Sequence, residues 1–264
     1  MRNRYLIAGA LSFSLVGVSP AAHAQTNDFN EAGDTAGWTV DRYAPDGFES
    51  GVSFGGEQVL EHSIGPNGAT ANRPAGYSSS FYNTQGMQSP DFAAGTTNMS
   101  IDLFVPGDWA NTNNRMAGFW GIAYDGVDPT VSSYPIIGYS SDALFAGWRG
   151  WDNTNGWFDL GGTVNYDGWN SLNIALNGAN WDYSVNGSLL GSTDAGGSTY
   201  LARAILQGYN DPNTAPYAIH WDNLSATGAV PEPATWMMLI LGFLAVGGTM
   251  RMQKRREKVT VRYA

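Results

Sequence analysis

One stretch of the sequence decides the fold: Trp169-Asn170-Ser171-Leu172-Asn173-Ile174-Ala175-Leu176-Asn177-Gly178-Ala179-Asn180-Trp181-Asp182-Tyr183-Ser184-Val185-Asn186-Gly187-Ser188-Leu189-Leu190-Gly191. Apolar side chains alternate with polar ones from Leu172 to Leu176 and again from Trp181 to Val185. A period of two places each apolar set on one face of a strand. Each run is followed by Asn-Gly, which accepts the positive φ angles of tight hairpin turns. The stretch predicts a three-stranded antiparallel meander.

Short segments of the same kind recur along the chain, separated by turns rich in Gly, Pro, Asn and Asp. They are Met99–Val105, Gly118–Tyr124, Ile136–Tyr139, Ala143–Trp148, Leu201–Gln207 and Tyr217–Ser225. Amphipathic helical periodicity is scarce. This organisation predicts an all-β antiparallel sandwich or barrel.

The N-terminal residues 1–24 have the three parts of a secretory signal peptide. Arg2 and Arg4 are basic, Leu6–Val18 is apolar, and the small residues Ala22 and Ala24 frame a cleavage site. We expect export through the Sec pathway, cleavage by signal peptidase and a mature chain that begins at Gln25. The alternative is a retained N-terminal anchor, for which the apolar run is short.

The C-terminal residues carry a second targeting pattern. The uncharged segment Ala234–Met250 follows three residues, Pro231, Glu232 and Pro233, and precedes a basic cluster formed by Arg251, Lys254, Arg255 and Arg256. This length suits a transmembrane helix, and the basic cluster favours the cytoplasmic side of the inner membrane. The sequence therefore predicts that residues 25–228 lie outside that membrane and that residues 257–264 form a short cytoplasmic tail.

Pro231-Glu232-Pro233, with Trp236 three residues after the second proline, resembles the PEP-CTERM sorting domain over residues 229–256. The resemblance implies recognition by an integral-membrane exosortase, in a Gram-negative bacterium that makes exopolysaccharide and biofilm. It also implies a final location on the cell surface or in the extracellular matrix. The tail after the arginines departs from the family, which usually ends soon after them. The alternative is an ordinary C-terminal anchor.

The exported part resembles a second family. Trp169–Ile174, Trp181–Gly191 and His220-Trp221-Asp222-Asn223-Leu224-Ser225 are similar to strands of concanavalin A-like and laminin G-like proteins. The resemblance implies an antiparallel jelly-roll β-sandwich over residues 25–228, in which the final strand pairs near an N-terminal strand. Asp28-Phe29 and Gly37–Val40 are the candidates for that opening strand.

Composition excludes several classes of function. The absence of cysteine rules out disulfides, thiol nucleophiles and thiolate metal sites. Between Gln25 and Val230 there are five arginines, no lysine and 21 acidic residues, a balance of −16. Such a domain would be repelled by nucleic acid, so we expect no nucleic-acid partner.

Residues for catalysis are not arranged in a familiar motif. Jelly-roll glucanases carry a Glu-x-Asp-x-(x)-Glu run, whereas Glu57 and Glu61 lack a third carboxylate and are interpreted as a solvated strand edge. After signal cleavage only His62 and His220 could act as imidazole bases, and His220 is predicted at the surface. The sequence therefore predicts a non-enzymatic domain. The alternative is a secreted jelly-roll glycoside hydrolase, or a lectin, that acts on extracellular polysaccharide.

A calcium site is predicted only from the resemblance to jelly-roll proteins. Proteins of this type often hold one structural calcium between the N-terminal segment and the last strand, which by position implies Asp222 with Glu31 or Asp34. Carboxylates and backbone carbonyls in loops are suitable ligands for this ion. The alternative is a set of acidic turns without metal, and no other cofactor is expected.

The aromatic side chains favour a role in ligand binding over a role in catalysis. Trp151 and Trp157 flank Asp152–Gly156, a predicted loop tip, and flat rings beside polar neighbours suit sugar recognition. The competing explanation is packing in the core, which we expect for Trp169 and Trp181. We therefore expect a structural or glycan-binding protein whose partner is an extracellular polysaccharide.

Overall fold

The structure is a computed structural model, and it describes residues 24–65, 76, 83–126, 130–144, 146–210, 215–228 and 242–243. The strands are β1 (Gln25–Asn27), β2 (Thr39–Asp41), β3 (Gly47–Phe54), β4 (Glu57–Ile64), β5 (Thr84–Gln88), β6 (Thr96–Val105), β7 (Arg115–Tyr124), β8 (Val131–Ser133), β9 (Ile136–Ser140), β10 (Gly147–Asp152), β11 (Gly156–Asp159), β12 (Gly168–Asn177), β13 (Asn180–Val185), β14 (Ser188–Asp194), β15 (Tyr200–Tyr209) and β16 (Tyr217–Gly228). A 3-10 helix covers Gly107–Asn111.

These strands form two eight-stranded sheets. Sheet A has the order β14-β13-β12-β6-β16-β4-β3, with β1 added beside β16. Sheet B has the order β11-β10-β9-β7-β15-β5-β2, with β8 added beside β7. All the strand pairs within them are antiparallel. The predicted all-β antiparallel sandwich is therefore confirmed.

The meander that decides the fold forms as predicted. Strand β12 pairs with β13 from Leu172 opposite Val185 to Asn177 opposite Asn180, and β13 pairs with β14. The second turn has φ of 50° at Asn186 and 76° at Gly187. Two consecutive positive φ angles are those of a type I′ turn, which matches the twist of a hairpin.

The core lies between the sheets and is built largely of aromatic rings. Trp181, Tyr183 and Trp221 of sheet A and Trp148 and Tyr139 of sheet B are fully buried. Each large side chain removed from water contributes about 1.5–3 kcal/mol. The prediction that Trp181 is a core residue is confirmed, and burial of this kind stabilises a chain that has no disulfide.

Trp169 was predicted in the core, and that prediction is wrong. Its position in the alternation is opposite to that of Leu172 and Ile174, so it points away from sheet B. Its ring lies on the outer surface of sheet A, 5.6 Å from the ring of Phe104 and 6.3 Å from that of Phe54 between centroids. The alternation of side chains along the strand predicts the outer surface for Trp169. The general tendency of tryptophan to be buried predicts the core, which is wrong here.

Two strand boundaries also differ from the prediction. The strand expected from Ala143 begins only at Gly147. The strand that pairs with the final one is Gln25–Asn27, opposite Leu224–Ala226, and it ends just before the expected Asp28. The other candidate, around Val40, belongs to sheet B, where β2 pairs with β5.

The targeting segments lie outside the described residues. This holds for Ala22, Pro231, Glu232, Pro233, Trp236 and the basic cluster from Arg251 to Arg256. Ala24 is described, as an exposed residue before β1, and of Ala234–Met250 only Gly242 and Phe243 are described. Within the described ranges no helix combines the length and the apolar character needed to span a membrane.

Candidate functional site

The surface of sheet B that faces away from sheet A, here called the outer face of sheet B, is unusual for a sheet exposed to water. It carries a second apolar cluster, separate from the core, of Trp120, Ile122, Ile136 and Ile205, against which Trp151 and Trp157 pack. Outer faces of antiparallel sheets are commonly polar and solvated. A half-buried aromatic surface in this place calls for a functional explanation.

One transverse row of this face combines glycines with buried polar residues. Cross-strand register places seven residues side by side, and antiparallel neighbours point to the same face. In order they are Asp41, Gly86, Gln207, Gly118, Gly138, Arg149 and Asp159. Five strand spacings separate Asp41 from Arg149, a span of about 24 Å. The three glycines lower the floor of a shallow trench.

The glycines are required by close contacts. A Cβ atom at Gly118 would lie 2.6 Å from Nε1 of Trp120, and one at Gly86 would lie 2.7 Å from Cδ of Gln207. The Trp120 indole therefore leans over the trench floor, and the Gln207 amide lies across its neighbouring strand. Larger residues at these positions would lift both side chains.

A buried carboxylate organises one end of the row. Asp41 is 6% exposed and accepts hydrogen bonds from Nε2 of Gln88 at 2.7 Å, from Nη1 of Arg42 at 2.9 Å and from Nε2 of Gln207. Because the Nε2 group of Gln207 donates to Asp41, the side-chain oxygen of Gln207 points away from that carboxylate. The Gln207 oxygen Oε1 is buried and has no hydrogen-bond partner among the described residues.

A buried guanidinium forms the other end. Arg149 is 5% exposed, and its carbon Cζ lies 4.0 Å from the ring centroid of Trp157. Its Nη1 contacts Oδ2 of Asp142 at 3.4 Å, whereas its Nε–H has no acceptor within the described part of the chain. Burial, followed by the nearby charge of Arg115, lowers the pKa of Arg149 to about 9. The guanidinium therefore remains charged at neutral pH. Its contact with Asp142 is long, and its Nε–H makes no hydrogen bond within the described residues.

The arginines of the domain formed by residues 25–228 gather on this face. Of its five arginines, four lie here, at Arg42, Arg115, Arg149 and Arg203, and the fifth lies outside the described residues. Arg42 lies 4.8 Å from the ring centroid of Trp120, and Arg115 lies 4.1 Å from that of Tyr209. Arg203 pairs with Asp91 at 2.5 Å. Three of the four arginines thus stack on aromatic rings, as guanidiniums in binding surfaces often do.

These side chains surround a shallow depression with a volume of about 20 Å³. Its lining includes Thr84, Arg115, Trp120, Arg149, Trp157, Gln207 and Tyr209. The rim residues Arg115, Trp157 and Tyr209 are half-buried, whereas Arg149, Gln207 and Thr84 below them are buried. This enclosed volume would hold about one water molecule, so a larger ligand would lie across an open surface and not inside a cavity.

Trp151 and Trp157, predicted to contact a glycan, both belong to this face. They are opposite one another on β10 and β11, with ring centroids 5.3 Å apart and planes at 63°. The predicted loop between them is a tight turn fixed by Asp152, whose carboxylate accepts from the backbone N–H of Thr154 at 2.7 Å. Both rings are half-buried and lie on the strands β10 and β11. The predicted position at an exposed loop tip is therefore wrong.

Sequence reasoning missed Arg149, Gln207 and Asp41. These residues come from β10, β15 and β2, and only the register of the sheet brings them into one row. The composition did contain one indication. In a domain with a net charge of −16, five arginines and no lysine, each arginine is a candidate for a specific role.

A second cluster occupies the outer surface of sheet A. The Phe54 ring stacks on the His220 imidazole at 3.7 Å between centroids, with Phe104 4.8 Å from Phe54. His220 lies on the outer side of sheet A, as predicted, but its side chain is only 14% exposed, and its Nε2 lies 3.5 Å from Oε2 of Glu61. Glu57 and Glu61 do not form a sheet edge as predicted, since β4 lies between β16 and β3.

Beside these rings, Asp102 and Asp222 are directly opposite each other on β6 and β16. Burial raises the pKa of Asp222 to about 6, and the charges of Asp102, Glu57 and Asp28 act in the same direction. Asn223 donates from Nδ2 to Oδ2 of Asp102 at 3.0 Å. A carboxyl group that is easily protonated beside a second carboxylate is the arrangement that general acid catalysis requires.

The three residues proposed to bind calcium do not form a cage of side chains. Asp34 accepts from the backbone N–H of Glu31 at 2.9 Å, and Asp222 accepts from that of Asn223 at 2.7 Å. In the described ranges no group of three or more His, Cys, Asp or Glu residues could hold a metal ion. The side chains of Asp222, Glu31 and Asp34 therefore do not form a complete calcium site by themselves.

His62, the other candidate base, is inaccessible. Its side chain is fully buried against Phe48, with ring centroids 5.3 Å apart. Burial lowers the pKa of His62 to about 3. The imidazole is therefore neutral at physiological pH and cannot exchange protons with a ligand.

No family model and no curated protein matches this chain. Solved structures share its fold at low identity. A Crh5 transglycosylase matches with a TM-score of 0.53 and 11% identity, over 80% of this chain and 86% of the other. A native glycosidic hydrolase matches with a TM-score of 0.51 and 10% identity, over 79% and 97%. A sialidase matches at 0.50 and 12%, over 79% of this chain and 18% of its own.

These neighbours contradict the prediction that the domain is not an enzyme. The transglycosylase and the glycosidic hydrolase have this same sandwich fold. The prediction depended on the missing Glu-x-Asp-x-(x)-Glu run, which detects only carboxylates on a single strand. Asp102 and Asp222 face each other from two strands that are far apart in sequence, and no single-strand motif can detect such a pair.

Proposed function

We propose that this protein is a carbohydrate-active jelly roll that binds extracellular polysaccharide on the outer face of sheet B. This proposal depends on two buried polar atoms, Nε of Arg149 and Oε1 of Gln207, that have no hydrogen-bond partner among the described residues. Both lie near aromatic rings on a surface that faces away from the core. Buried polar groups are nearly always satisfied, so an unsatisfied pair in a depression indicates a ligand. Sugars supply hydroxyl groups for both atoms and an apolar ring face for the tryptophans.

Packing alone is a weaker explanation of this face. An apolar cluster that only covered the sheet would gain from aliphatic residues, and it would lose by burying the guanidinium of Arg149, the carboxylate of Asp41 and the amide of Gln207. The glycine floor also removes side-chain volume where packing would add it. Structural neighbours named for glycan chemistry support the same proposal.

Calorimetry of the purified protein against a panel of soluble polysaccharides tests the proposal. We expect saturable binding of at least one polymer and at least a tenfold loss in Trp157→Ala. Leu189→Ser, at a 62% exposed site on sheet A, is the matched control and keeps full affinity. Absence of binding across the panel, or equal loss in the control, would contradict the proposal.

Cleavage of the glycan is a second candidate function, favoured by Asp102 and Asp222. Opposite residues of an antiparallel pair have Cβ atoms about 4.5–5.5 Å apart, which lets their carboxyl groups reach the spacing of about 5–5.5 Å used by retaining glycosidases. Asp222 would protonate the leaving oxygen while Asp102 attacks the anomeric carbon, with the Trp169 ring as the sugar platform. Asp222 would then take a proton from the water that hydrolyses the Asp102 ester. Release of reducing ends, abolished in Asp222→Asn and in Asp102→Asn alike, tests this candidate.

We further propose that the chain is exported by Sec and signal peptidase, held in the inner membrane, processed by an exosortase and left on the cell surface or in the exopolysaccharide matrix. The support is the sequence of residues 1–24 and 229–256, including Pro231-Glu232-Pro233 and Trp236. Intact mass spectrometry of membrane and extracellular fractions tests it. A mature form that begins at Gln25 and ends near Pro233 agrees with the proposal, whereas an intact C-terminus at Ala264 in the final location contradicts exosortase processing.

One structural calcium is also kept as a proposal, supported by the jelly-roll resemblance alone. Thermal unfolding in calcium and in chelator tests it directly. A midpoint that does not change between the two conditions would contradict it.

A further inference from the structure

We infer that the outer face of sheet B selects an acidic polysaccharide, and that Arg149 receives the carboxylate of a uronic-acid-type sugar. The inference depends on the proposed function and names the ligand class of the same site. It follows from where the cations of the domain lie and from which of their atoms lack a partner.

The distribution of charge is the first observation. A domain of balance −16 with no lysine repels polyanions over most of its surface. Four of its five arginines nevertheless lie on one sheet face, and they come from the β2 end, β7, β10 and β15. Solubility does not require this clustering, because the domain already carries a large net charge. A negatively charged ligand explains it.

The geometry of Arg149 is the second observation. Within the described ranges its buried Nε–H has no acceptor, and its Nη1 makes one long contact of 3.4 Å with Asp142. A guanidinium offers a fork of N–H groups that matches a carboxylate with two parallel hydrogen bonds. Arg115 lies close enough to disfavour the charged form of Arg149. An entering carboxylate would relieve that repulsion and satisfy Nε–H together.

The remaining groups fit the neutral part of such a sugar. The Gln207 oxygen and the Thr84 hydroxyl are buried and have no hydrogen-bond partner in the part of the chain that the structure describes, so both can bond to sugar hydroxyls. The Trp157 and Tyr209 rings stand at the rim, each already stacked with an arginine. Gln207 and Thr84 would therefore bind the sugar hydroxyls, whereas Arg149 and Arg115 would bind the carboxylate. The two contributions can be tested separately.

The experiment uses matched ligands that differ only in charge. Polygalacturonate and alginate are each compared by calorimetry with their carboxyl-reduced, neutral forms, using the full-length protein. We expect the acidic form of at least one polymer to bind at least tenfold more tightly than its neutral form, and the difference to shrink as salt rises from 50 to 200 mM. Arg149→Gln removes the preference for the acidic form, whereas Leu189→Ser keeps it.

Each outcome has a distinct meaning. Equal binding of acidic and neutral forms overturns the inference and leaves the proposed function intact. Preference for the acid that persists in Arg149→Gln overturns the assignment to this residue. Absence of binding to any polysaccharide, charged or neutral, overturns the proposed function and the inference with it. Circular dichroism of Arg149→Gln shows that the variant is folded, and Arg149→Lys, which keeps the charge but loses the fork, retains only part of the preference.

Discussion

The guanidinium carbon of Arg149 lies 4.0 Å from the ring centroid of Trp157, and the two residues come from adjacent strands of one hairpin. Neither residue faces the core between the sheets, yet Arg149 is buried. The aromatic ring takes the place of water on one side of the cation, and the Arg149 Nε–H is buried without an acceptor among the described residues. This pairing makes the outer face of sheet B a preformed surface.

Removing the ring should affect both stability and binding. Trp157→Ala deletes the contact with Arg149 and the tilted contact with Trp151, and we expect a loss of about 1–3 kcal/mol in the free energy of unfolding. Trp157→Phe keeps an aromatic face and should lose less than half of that. Urea titration followed by circular dichroism measures both variants. Equal stability of Trp157→Ala and the parent would mean that the ring does not cover the guanidinium.

The trench floor should not tolerate a methyl group. In Gly118→Ala the new Cβ would lie 2.6 Å from Nε1 of Trp120, so the indole must move. We expect a destabilisation of about 1–3 kcal/mol and loss of polysaccharide binding, because the moved ring enters the depression. Ser171→Ala, on the exposed side of β12, is the control and should change neither property. Unchanged binding in a folded Gly118→Ala would place the ligand elsewhere.

Local patterns predicted the meander well because all their information lies within a few residues. Alternation from Leu172 to Leu176 and the Asn186-Gly187 turn require no knowledge of distant strands. Trp169 was misassigned when residue type was given more weight than position in the alternation. The same alternation, applied strictly, places it outside.

The candidate site could not be predicted in the same way. Gln207 and Arg149 are 58 positions apart, and Gly118 and Gly138 lie between them on the sheet, so only the order β15-β7-β9-β10 connects the two. A sequence shows which residues alternate, but not which strand lies beside which. The aromatic residues Trp151 and Trp157 were predicted as binding residues because they are close in sequence, and their place on the outer face of sheet B was not.

Asp222 should make stability depend on pH. Its pKa is about 6 in the folded protein and 3.8 in the unfolded reference, so the folded state binds the proton more tightly. Its contribution is complete below pH 4 and is lost as pH rises through 6. We expect Asp222→Asn to be more stable than the parent at pH 7.5, by about 1–2 kcal/mol, and to lose this advantage at pH 4. Chemical denaturation at the two pH values measures the difference, and an advantage that is independent of pH would contradict the raised pKa.

His62 should act in the opposite direction. Its pKa falls to about 3 in the folded protein from 6.5, so the unfolded chain takes up a proton that the buried ring refuses. The stability that depends on a neutral His62 is present above pH 6.5 and is lost as pH falls towards 3, by about 2 kcal/mol at pH 5. In His62→Leu this loss between pH 7.5 and pH 5 should disappear, because leucine does not titrate and fits the apolar contact with Phe48. His220→Gln, on the outer surface of sheet A, is the matched control and should retain the loss. If His62→Leu and the parent lose the same stability over this range, the acid sensitivity of the fold does not come from the buried imidazole.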